Sequence, residues 1–158
     1  MAVDREQLLT GVARFMEQSI PFNRHMGLLV PHIEPGRIVL RLPWADHLIG
    51  DPLRPALHGG VTSFLLDNAG GIAAFSTFTT PHERCSTIDL RIDYVGPGPV
   101  GVDLFAEARV IRRGKRVVFC RMEAYGGAMP AEGEARTPFA IGQATYSIFA
   151  NDAAGRTD

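Results

Sequence analysis

Residues 61–76, VTSFLLDNAGGIAAFS, constrain the fold more than any other segment, because on a helix they are apolar or small around nearly the whole circumference. A helix of that composition must be buried on most of its sides. The flanking sequence predicts a hairpin before this helix and four strands after it. We therefore expect an α+β fold, in which an antiparallel sheet of about six strands wraps around one long central helix.

Alternation of apolar and polar residues predicts the individual strands. Residues 26–34 and 36–44 are expected to pair across the Pro35-Gly36 turn, and residues 102–111, 116–125 and 139–149 continue the sheet. Residues 86–95 alternate most strictly. One face of this strand is expected to carry Ile88, Leu90, Ile92 and Tyr94, and the other Thr87, Asp89, Arg91 and Asp93.

An additional helix is predicted near the N-terminus. Helical spacing relates the apolar residues Leu8, Leu9, Val12, Phe15 and Met16. Asp4 and Gln7 match a capping box, and Pro21 is expected to end the helix. Pro and Gly predict loops at residues 51–60, 96–101 and 126–138. We expect a single domain over residues 1–150, followed by a flexible C-terminal tail at residues 151–158.

The charge balance argues against several classes of function. Sixteen Lys and Arg against seventeen Asp and Glu leave a net charge of −1, which provides no overall field for nucleic acid or an anionic membrane. No run approaches the roughly 20 apolar residues of a membrane span, and the charged N-terminus is unlike a signal peptide, so a cytoplasmic location is expected. The spacing of the five His predicts no metal site, and Cys85 and Cys120 are expected to be reduced.

Asp67 is the only acidic residue in residues 57–76. Its neighbours on the helix face are all small, namely Gly60, Ser63, Gly70, Gly71 and Ala74. Two interior glycines cost a helix roughly 2 kcal/mol relative to alanine, which indicates that a second copy of the helix, a thin ligand, or both approach closely. Two other interpretations stay open: a solvated turn at DNAGG between two strands, and a core carboxylate bonded to backbone N–H groups.

The sequence LHGG before the helix suggests a chemical use for Asp67. Unpaired N–H groups at a helix N-terminus stabilise an oxyanion. The Gly59 N–H would then polarise a carbonyl, while Asp67 attacks that carbonyl or activates a water molecule. This arrangement predicts acyl transfer to water, with His58 either orienting the loop or bonding the substrate.

Residues 112–116, RRGKR, place four cations in a predicted hairpin turn. They form either a charged, solvated turn or a local clamp for phosphate groups. Residues 96–101, GPGPVG, match a dinucleotide-binding pattern in letters only, because two prolines remove N–H donors and a strand follows instead of a helix.

Taken together, LHGGVTSFLLDNAGGIAAFS and the following STIDLRIDYVGPGPVG resemble the hotdog-fold acyl-CoA thioesterases of the phenylacetic-acid-degradation type. In that family an HGG turn begins the central helix and an acid lies nine positions after the His. The resemblance extends over residues 22–149. It implies hydrolysis of an aryl or medium-chain acyl-CoA, with CoA as part of the substrate and no separate cofactor.

The resemblance also implies roles for individual residues. Gly59 would polarise the thioester carbonyl, and Asp67 would act as general base or nucleophile. Thr87, or the neighbouring Ser86, would position water. The site would lie at a homodimer interface, with a tetramer built as a dimer of dimers also open.

Substrate-binding positions complete the expected site. Gly60 and Ser63 lie on the small face of the helix, and CoA supplies a phosphate ligand for Arg112, Arg113, Lys115 or Arg116. Many family members carry an Asn before HGG that binds the thioester oxygen. Here Asp51, Pro52 and Arg54 occupy that loop, so Arg54 or the backbone alone would replace the Asn. A non-catalytic acyl-CoA-binding module and a hotdog dehydratase or hydratase are the alternatives.

Overall fold

The computed structural model describes residues 5–80 and 82–150. The helices are α1 (Arg5–Gln18), α2 (Pro21–Met26) and α3 (Gly59–Phe75). The strands are β1 (Leu29–Glu34), β2 (Arg37–Leu42), β3 (Ile49–Asp51), β4 (Ala56–Leu57), β5 (Glu83–Tyr94), β6 (Leu104–Arg113), β7 (Val117–Gly126) and β8 (Ala140–Ala150). A 3₁₀ turn, Asp46–Leu48, precedes β3.

Six strands form one sheet in the order β1-β2-β6-β7-β8-β5, and every neighbouring pair is antiparallel. Helix α3 packs across the inner face of this sheet and contacts β2, β5, β6, β7 and β8. The predicted hotdog architecture, a sheet wrapped around a long helix with an additional N-terminal helix, is confirmed. No helix among the described residues is long and apolar enough to span a bilayer.

The core lies between α3 and the sheet. Leu65, Leu66 and Ile72 on the helix are almost fully buried, as are Leu40 and Met122 on the strands. Large aliphatic side chains fill the space between the two layers, so the helix is stabilised by packing as much as by its own hydrogen bonds. Residues 61–76 are therefore apolar around the helix because α3 is buried against the sheet, as the sequence predicted.

Two short elements differ from the sequence-based expectations. Pro21 does not only end the first helix; it begins α2, where its missing N–H and fixed φ suit the first turn. Residues 51–60, predicted as loop, include part of the two-stranded antiparallel sheet of β3 and β4. Strands of two or three residues are too short to show an alternating pattern. The proposed cap residue Asp4 and the tail at residues 151–158 lie outside the described residues.

Strand β5 also departs from its predicted alternation. Its register with β8 shifts between Thr87 and Asp89, so Ile88 is the extra residue of a β-bulge. Ile88 is 59% exposed, whereas Leu90 and Ile92 pack against the core. Grouping Ile88 with Leu90, and Thr87 with Asp89, was therefore wrong, because the bulge turns Ile88 outward and Thr87 toward α3.

Candidate active site

The HGG turn forms the N-terminus of α3, with His58 as the N-cap. The His58 ring accepts a hydrogen bond at Nδ1 from the Gly60 N–H at 2.9 Å, and the His58 N–H donates to the Leu48 carbonyl, also at 2.9 Å. Gly50 packs so closely that a Cβ there would lie 2.7 Å from the His58 Cα. His58 therefore holds the turn in place, which is one of the two roles considered for it.

Gly59 is exposed and is the first residue of α3, so its N–H has no carbonyl partner within the helix. Its carbonyl accepts hydrogen bonds from the Tyr94 hydroxyl at 3.1 Å and the Ser63 hydroxyl at 3.2 Å. Those two hydroxyls are also 3.1 Å apart. Tyr94 was not predicted as a site residue, although the alternation grouped it with Leu90 and Ile92, which pack against the core, and this could have identified it.

Asp67 is half-buried on α3, two turns beyond Gly59. The Thr87 hydroxyl donates to its Oδ1 at 2.9 Å. The Tyr146 hydroxyl lies 3.0 Å from the Asp67 carbonyl oxygen and 3.4 Å from Oδ1. Burial, and after it the Asp67 charge, raises the pKa of Tyr146, so this hydroxyl keeps its proton and acts as the donor. The structure thus contradicts the solvated-turn interpretation of DNAGG.

Tyr146 also explains one of the two helix glycines. A Cβ at Gly70 would collide with the Tyr146 hydroxyl and lie 3.0 Å from Sδ of Met122. At Gly71 a Cβ would make only an ordinary contact, 3.6 Å from a Tyr146 ring carbon. The group that approaches the helix backbone at Gly70 is therefore a side chain of the same chain, whereas the expectation named a second helix or a ligand.

Two thiols lie behind the carboxylate. The Cys85 Sγ is 3.8 Å from the Gly71 carbonyl and the Cys120 Sγ is 3.4 Å from the Gly70 carbonyl. Burial, with a smaller contribution from Asp67, raises the pKa of Cys85 to about 11, and burial raises that of Cys120 to about 12. Both cysteines are free and stay protonated near neutral pH, so neither provides a thiolate nucleophile beside Asp67.

Ser86, the alternative to Thr87, occupies a different position. Its carbonyl accepts a hydrogen bond from the Ser147 hydroxyl at 3.2 Å, and strand alternation places its side chain on the face of β5 opposite to Thr87. Of these two neighbouring hydroxyls, the one that reaches Asp67 belongs to Thr87.

The loop before HGG places Arg54 at the surface. Asp51 accepts hydrogen bonds at Oδ1 from the backbone N–H groups of Leu53 and Arg54, which makes a local turn. The Arg54 side chain is 92% exposed and lies 3.5 Å from the Asp51 carboxylate. In this conformation Arg54 interacts with Asp51, and no hydrogen bond in the described part of the chain joins it to the HGG turn.

The predicted basic hairpin joins β6 to β7, and its cations are not equivalent. Arg113 is half-buried and forms an ion pair with Glu83 at 2.6 Å. Burial raises the pKa of Glu83, but hydrogen bonds from the Thr79 and Thr80 N–H groups and the Arg113 charge bring it below its usual value. Arg112, Lys115 and Arg116 are exposed. The structure therefore separates a structural Arg113 from three cations at the surface.

The described residues, 5–80 and 82–150, contain no group of three or more His, Cys, Asp and Glu side chains that could hold a metal ion.

Gly59 and Asp67 are eight residues apart on α3, which separates them by about 12 Å along the helix axis. Two groups that act together on one bound carbonyl must both lie within a few ångströms of it. One copy of α3 therefore does not bring the Gly59 N–H and the Asp67 carboxylate to the same substrate atom.

Comparison with known proteins identifies the family to which this chain belongs. The sequence model of the thioesterase superfamily matches residues 55–129, a segment that contains the HGG turn, Asp67 and Thr87. The medium/long-chain acyl-CoA thioesterase YigI of Salmonella typhimurium is 32% identical over 130 residues, which cover 75% of this chain and 83% of the relative. The protein of the same name from Escherichia coli K12 is 30% identical over 155 residues, covering 90% and 95%.

A solved structure agrees with these sequence relatives. A protein from Shewanella oneidensis, described as related to the thioesterase superfamily, superposes with a TM-score of 0.76 at 31% identity. The superposition covers 90% of this chain and 96% of the other. The likeness therefore extends from sequence to backbone over most of both chains.

Proposed function

Because the chain belongs to the thioesterase superfamily, we propose that it hydrolyses a medium-chain or aryl acyl-CoA to the free acid and CoA. The observation that carries the proposal is the Asp67 carboxylate, held by the Thr87 and Tyr146 hydroxyls on a helix that begins with an exposed HGG turn. The two bacterial relatives are named medium/long-chain acyl-CoA thioesterases, which supports a medium-length or long acyl chain.

The proposed reaction uses Asp67 as general base. Asp67 takes a proton from water while the water oxygen adds to the thioester carbon. The Gly59 N–H donates to the carbonyl oxygen as negative charge develops there. The C–S bond then breaks, the acid is released, and the CoA thiolate takes up the proton that Asp67 carries. The proposed steps assign no role to the thiols of Cys85 and Cys120, whose pKa values burial raises.

We further propose that the site forms between two copies of the chain. The roughly 12 Å between Gly59 and Asp67 supports this, because a second α3 running antiparallel past the first would bring Gly59 of one copy to Asp67 of the other. Ser63 lies midway between the two residues on the helix. Among the described residues, β5 pairs only with β8, so the other edge of this 12-residue strand is unpaired. An unpaired strand edge favours pairing with a second copy.

For the nucleotide end of CoA we propose the exposed cations of the basic hairpin, Arg112, Lys115 and Arg116. Arg113 is left out of this proposal because its guanidinium group already pairs with Glu83. Exposed lysines and arginines attract phosphate mainly by charge, so their contribution would fall with added salt.

The activity is tested by measuring free-thiol release from short, medium, long and aryl acyl-CoAs, with the natural chain and with Asp67→Asn. We expect turnover to fall by at least about a hundredfold in Asp67→Asn while acyl-CoA binding persists. Asp46→Asn, the same substitution at an aspartate that is not part of α3, is the matched control and should keep full turnover. Equal rates in Asp67→Asn and the natural chain would rule out the proposed base. Binding without release from any thioester by the natural chain would indicate an acyl-CoA-binding module instead.

The two-copy site is tested by complementation. Asp67→Asn removes the base, and Gly59→Pro removes the N–H while keeping a residue suited to the first helical position. Each variant alone should be inactive. Co-expressed in equal amounts with different tags, they should regain about a quarter of natural turnover, since random pairing gives half mixed dimers, each with one intact site. No recovery in purified mixed dimers would mean that both groups act within one chain.

A further inference from the structure

Tyr146 is a buried residue 79 positions from Asp67, and its hydroxyl contacts both the backbone and the carboxylate of that residue. We infer that Tyr146 is a positioning residue which, together with Thr87, selects Oδ2 of Asp67 as the atom that takes the proton from water. This inference rests on the hydrolysis proposed above. It adds the identity of the reactive oxygen and the residue that determines it.

The two oxygens of the Asp67 carboxylate have different surroundings. Oδ1 has the Thr87 hydroxyl at 2.9 Å and the Tyr146 hydroxyl at 3.4 Å. In the described part of the chain, residues 5–80 and 82–150, no hydrogen bond or ion pair to Oδ2 is formed. An oxygen that accepts from two donors is a weaker proton acceptor than an unbonded one. Oδ2 is therefore the atom on which the proton of the attacking water is placed.

Sheet register brings the two hydroxyls to the same oxygen. Thr87 on β5 and Tyr146 on β8 are direct partners in the antiparallel pair, so their side chains project side by side toward α3. The bulge at Ile88 follows immediately and restores the inward direction of Leu90. With continuous alternation, either Thr87 or Leu90 would face away from the helix.

The Tyr146 hydroxyl bridges two atoms of one residue. It lies 3.0 Å from the Asp67 carbonyl oxygen and 3.4 Å from Oδ1, so its single proton is shared between backbone and side chain. This contact restricts the rotation of the Asp67 side chain about its Cα–Cβ bond. The ring itself has no room to move, because it is 1% exposed and its hydroxyl fits over Gly70.

The protonation states of Tyr146 and Thr87 agree with their role as hydrogen-bond donors to Oδ1. Tyr146 keeps its proton because burial and the Asp67 charge raise its pKa, and Thr87 is an alcohol that does not ionise near neutral pH. Both remain donors throughout the reaction. When the O–H bond of water breaks, the new bond forms at Oδ2, and Oδ1 of the neutral acid still accepts both hydroxyl hydrogen bonds.

The test uses Tyr146→Phe, Thr87→Val and the double variant, each nearly isosteric with the natural residue. Each single variant leaves one hydroxyl on Oδ1, so we expect kcat to fall only about fivefold in each. The double variant leaves Oδ1 without a donor and should lose about a hundredfold, more than the product of the single losses. KM for acyl-CoA should change less than about twofold, because neither hydroxyl is placed on the substrate.

Two controls separate positioning from a general effect on folding. Tyr125→Phe removes another buried tyrosine hydroxyl that donates to a carboxylate, that of Glu123, away from α3, and should leave kcat unchanged. Thr87→Ser keeps a hydroxyl on β5 and should keep most of the turnover of the natural chain. Urea unfolding of every variant reports whether a loss of kcat accompanies a loss of structure.

The outcomes distinguish this inference from the proposed function. A natural chain that hydrolyses acyl-CoA, with a folded double variant of unchanged kcat, overturns the positioning role and leaves the hydrolase standing. Strictly multiplicative losses in the double variant overturn the joint action on one oxygen. A natural chain that hydrolyses no thioester overturns the proposed function and this inference with it.

Discussion

Replacing Gly70 by alanine tests the most crowded contact of the candidate site. A Cβ at this position would collide with the Tyr146 hydroxyl and lie 3.0 Å from both Sδ of Met122 and Cε2 of the Tyr146 ring. Tyr146 and Met122 are each at most 1% exposed, so neither side chain can swing into solvent. The added methyl group must therefore displace the tyrosine hydroxyl from Asp67.

The expected loss of stability combines three effects. Alanine gains about 1 kcal/mol over glycine in a helix interior. Overpacking a filled core costs about 1–3 kcal/mol. Displacing a buried hydroxyl from its acceptors costs about 1–3 kcal/mol more. Gly70→Ala should therefore lower the free energy of unfolding by about 1–5 kcal/mol, and it should lower kcat because the Asp67 carboxylate loses one of its donors.

Urea unfolding followed by circular dichroism, at one fixed protein concentration, measures this change. Gly11→Ala is the matched control: it makes the same substitution inside α1, where nothing lies within 4 Å of the new Cβ. It should raise the free energy of unfolding by up to about 1 kcal/mol. The double variant Gly70→Ala/Tyr146→Phe removes the hydroxyl that the methyl group strikes, and should regain part of the stability lost in Gly70→Ala.

The reasoning would be refuted if Gly70→Ala were as stable as Gly11→Ala and retained full kcat. In that case the tyrosine hydroxyl would not lie against the helix at Gly70. An unstable Gly70→Ala that Tyr146→Phe does not improve would trace the crowding to Met122 instead, the other side chain at that position.

Three further predictions concern charged residues outside α3. Hydrogen bonds from the Trp44 N–H and, next, from the Arg41 side chain lower the pKa of Asp103. The Asp103 carboxylate therefore stabilises the fold above about pH 4, and this stabilisation is lost as the pH falls through the lowered pKa. Asp103→Asn should therefore make the free energy of unfolding fall less steeply between about pH 5 and pH 2. Urea titrations at a series of pH values measure this, and equal pH dependence in Asp103→Asn and the natural chain would contradict it. Arg116→Glu should raise KM for acyl-CoA but leave KM unchanged for a short thioester that lacks the nucleotide. Arg113→Gln should reduce stability by about 1–3 kcal/mol because Glu83 loses its ion pair with Arg113. Equal effects of Arg116→Glu on both substrates would exclude the phosphate contact.

The central elements of the fold could be predicted because their signals are local. Residues 61–76 are apolar around the helix, and a helix of that kind needs a surrounding layer, which the alternating strands provide. The HGG turn and Asp67 likewise lie on one helix. Their relative placement follows from helical geometry alone.

The partners of Asp67 could not be predicted from local pattern. Tyr146 comes from a strand 79 positions away, and its arrival beside Asp67 depends on the order of β5 and β8 in the sheet. Thr87 was named from the family resemblance, but strict alternation placed it on the face opposite to Leu90. Only the register shift after Thr87 brings both residues to the same side, and a bulge of one residue leaves no composition signal in STIDLRIDYV.

Two local irregularities, the glycine at position 70 and the bulge at Ile88, therefore act on the same carboxylate oxygen. The missing Cβ of Gly70 admits the Tyr146 hydroxyl, and the bulge lets Thr87 face inward without turning Leu90 outward. Glycine weakens the helix and the bulge interrupts the sheet, so neither feature improves the fold by itself. Since each gives Asp67 one hydroxyl donor, the position of that carboxylate accounts for both irregularities, in agreement with the catalytic role proposed for Asp67.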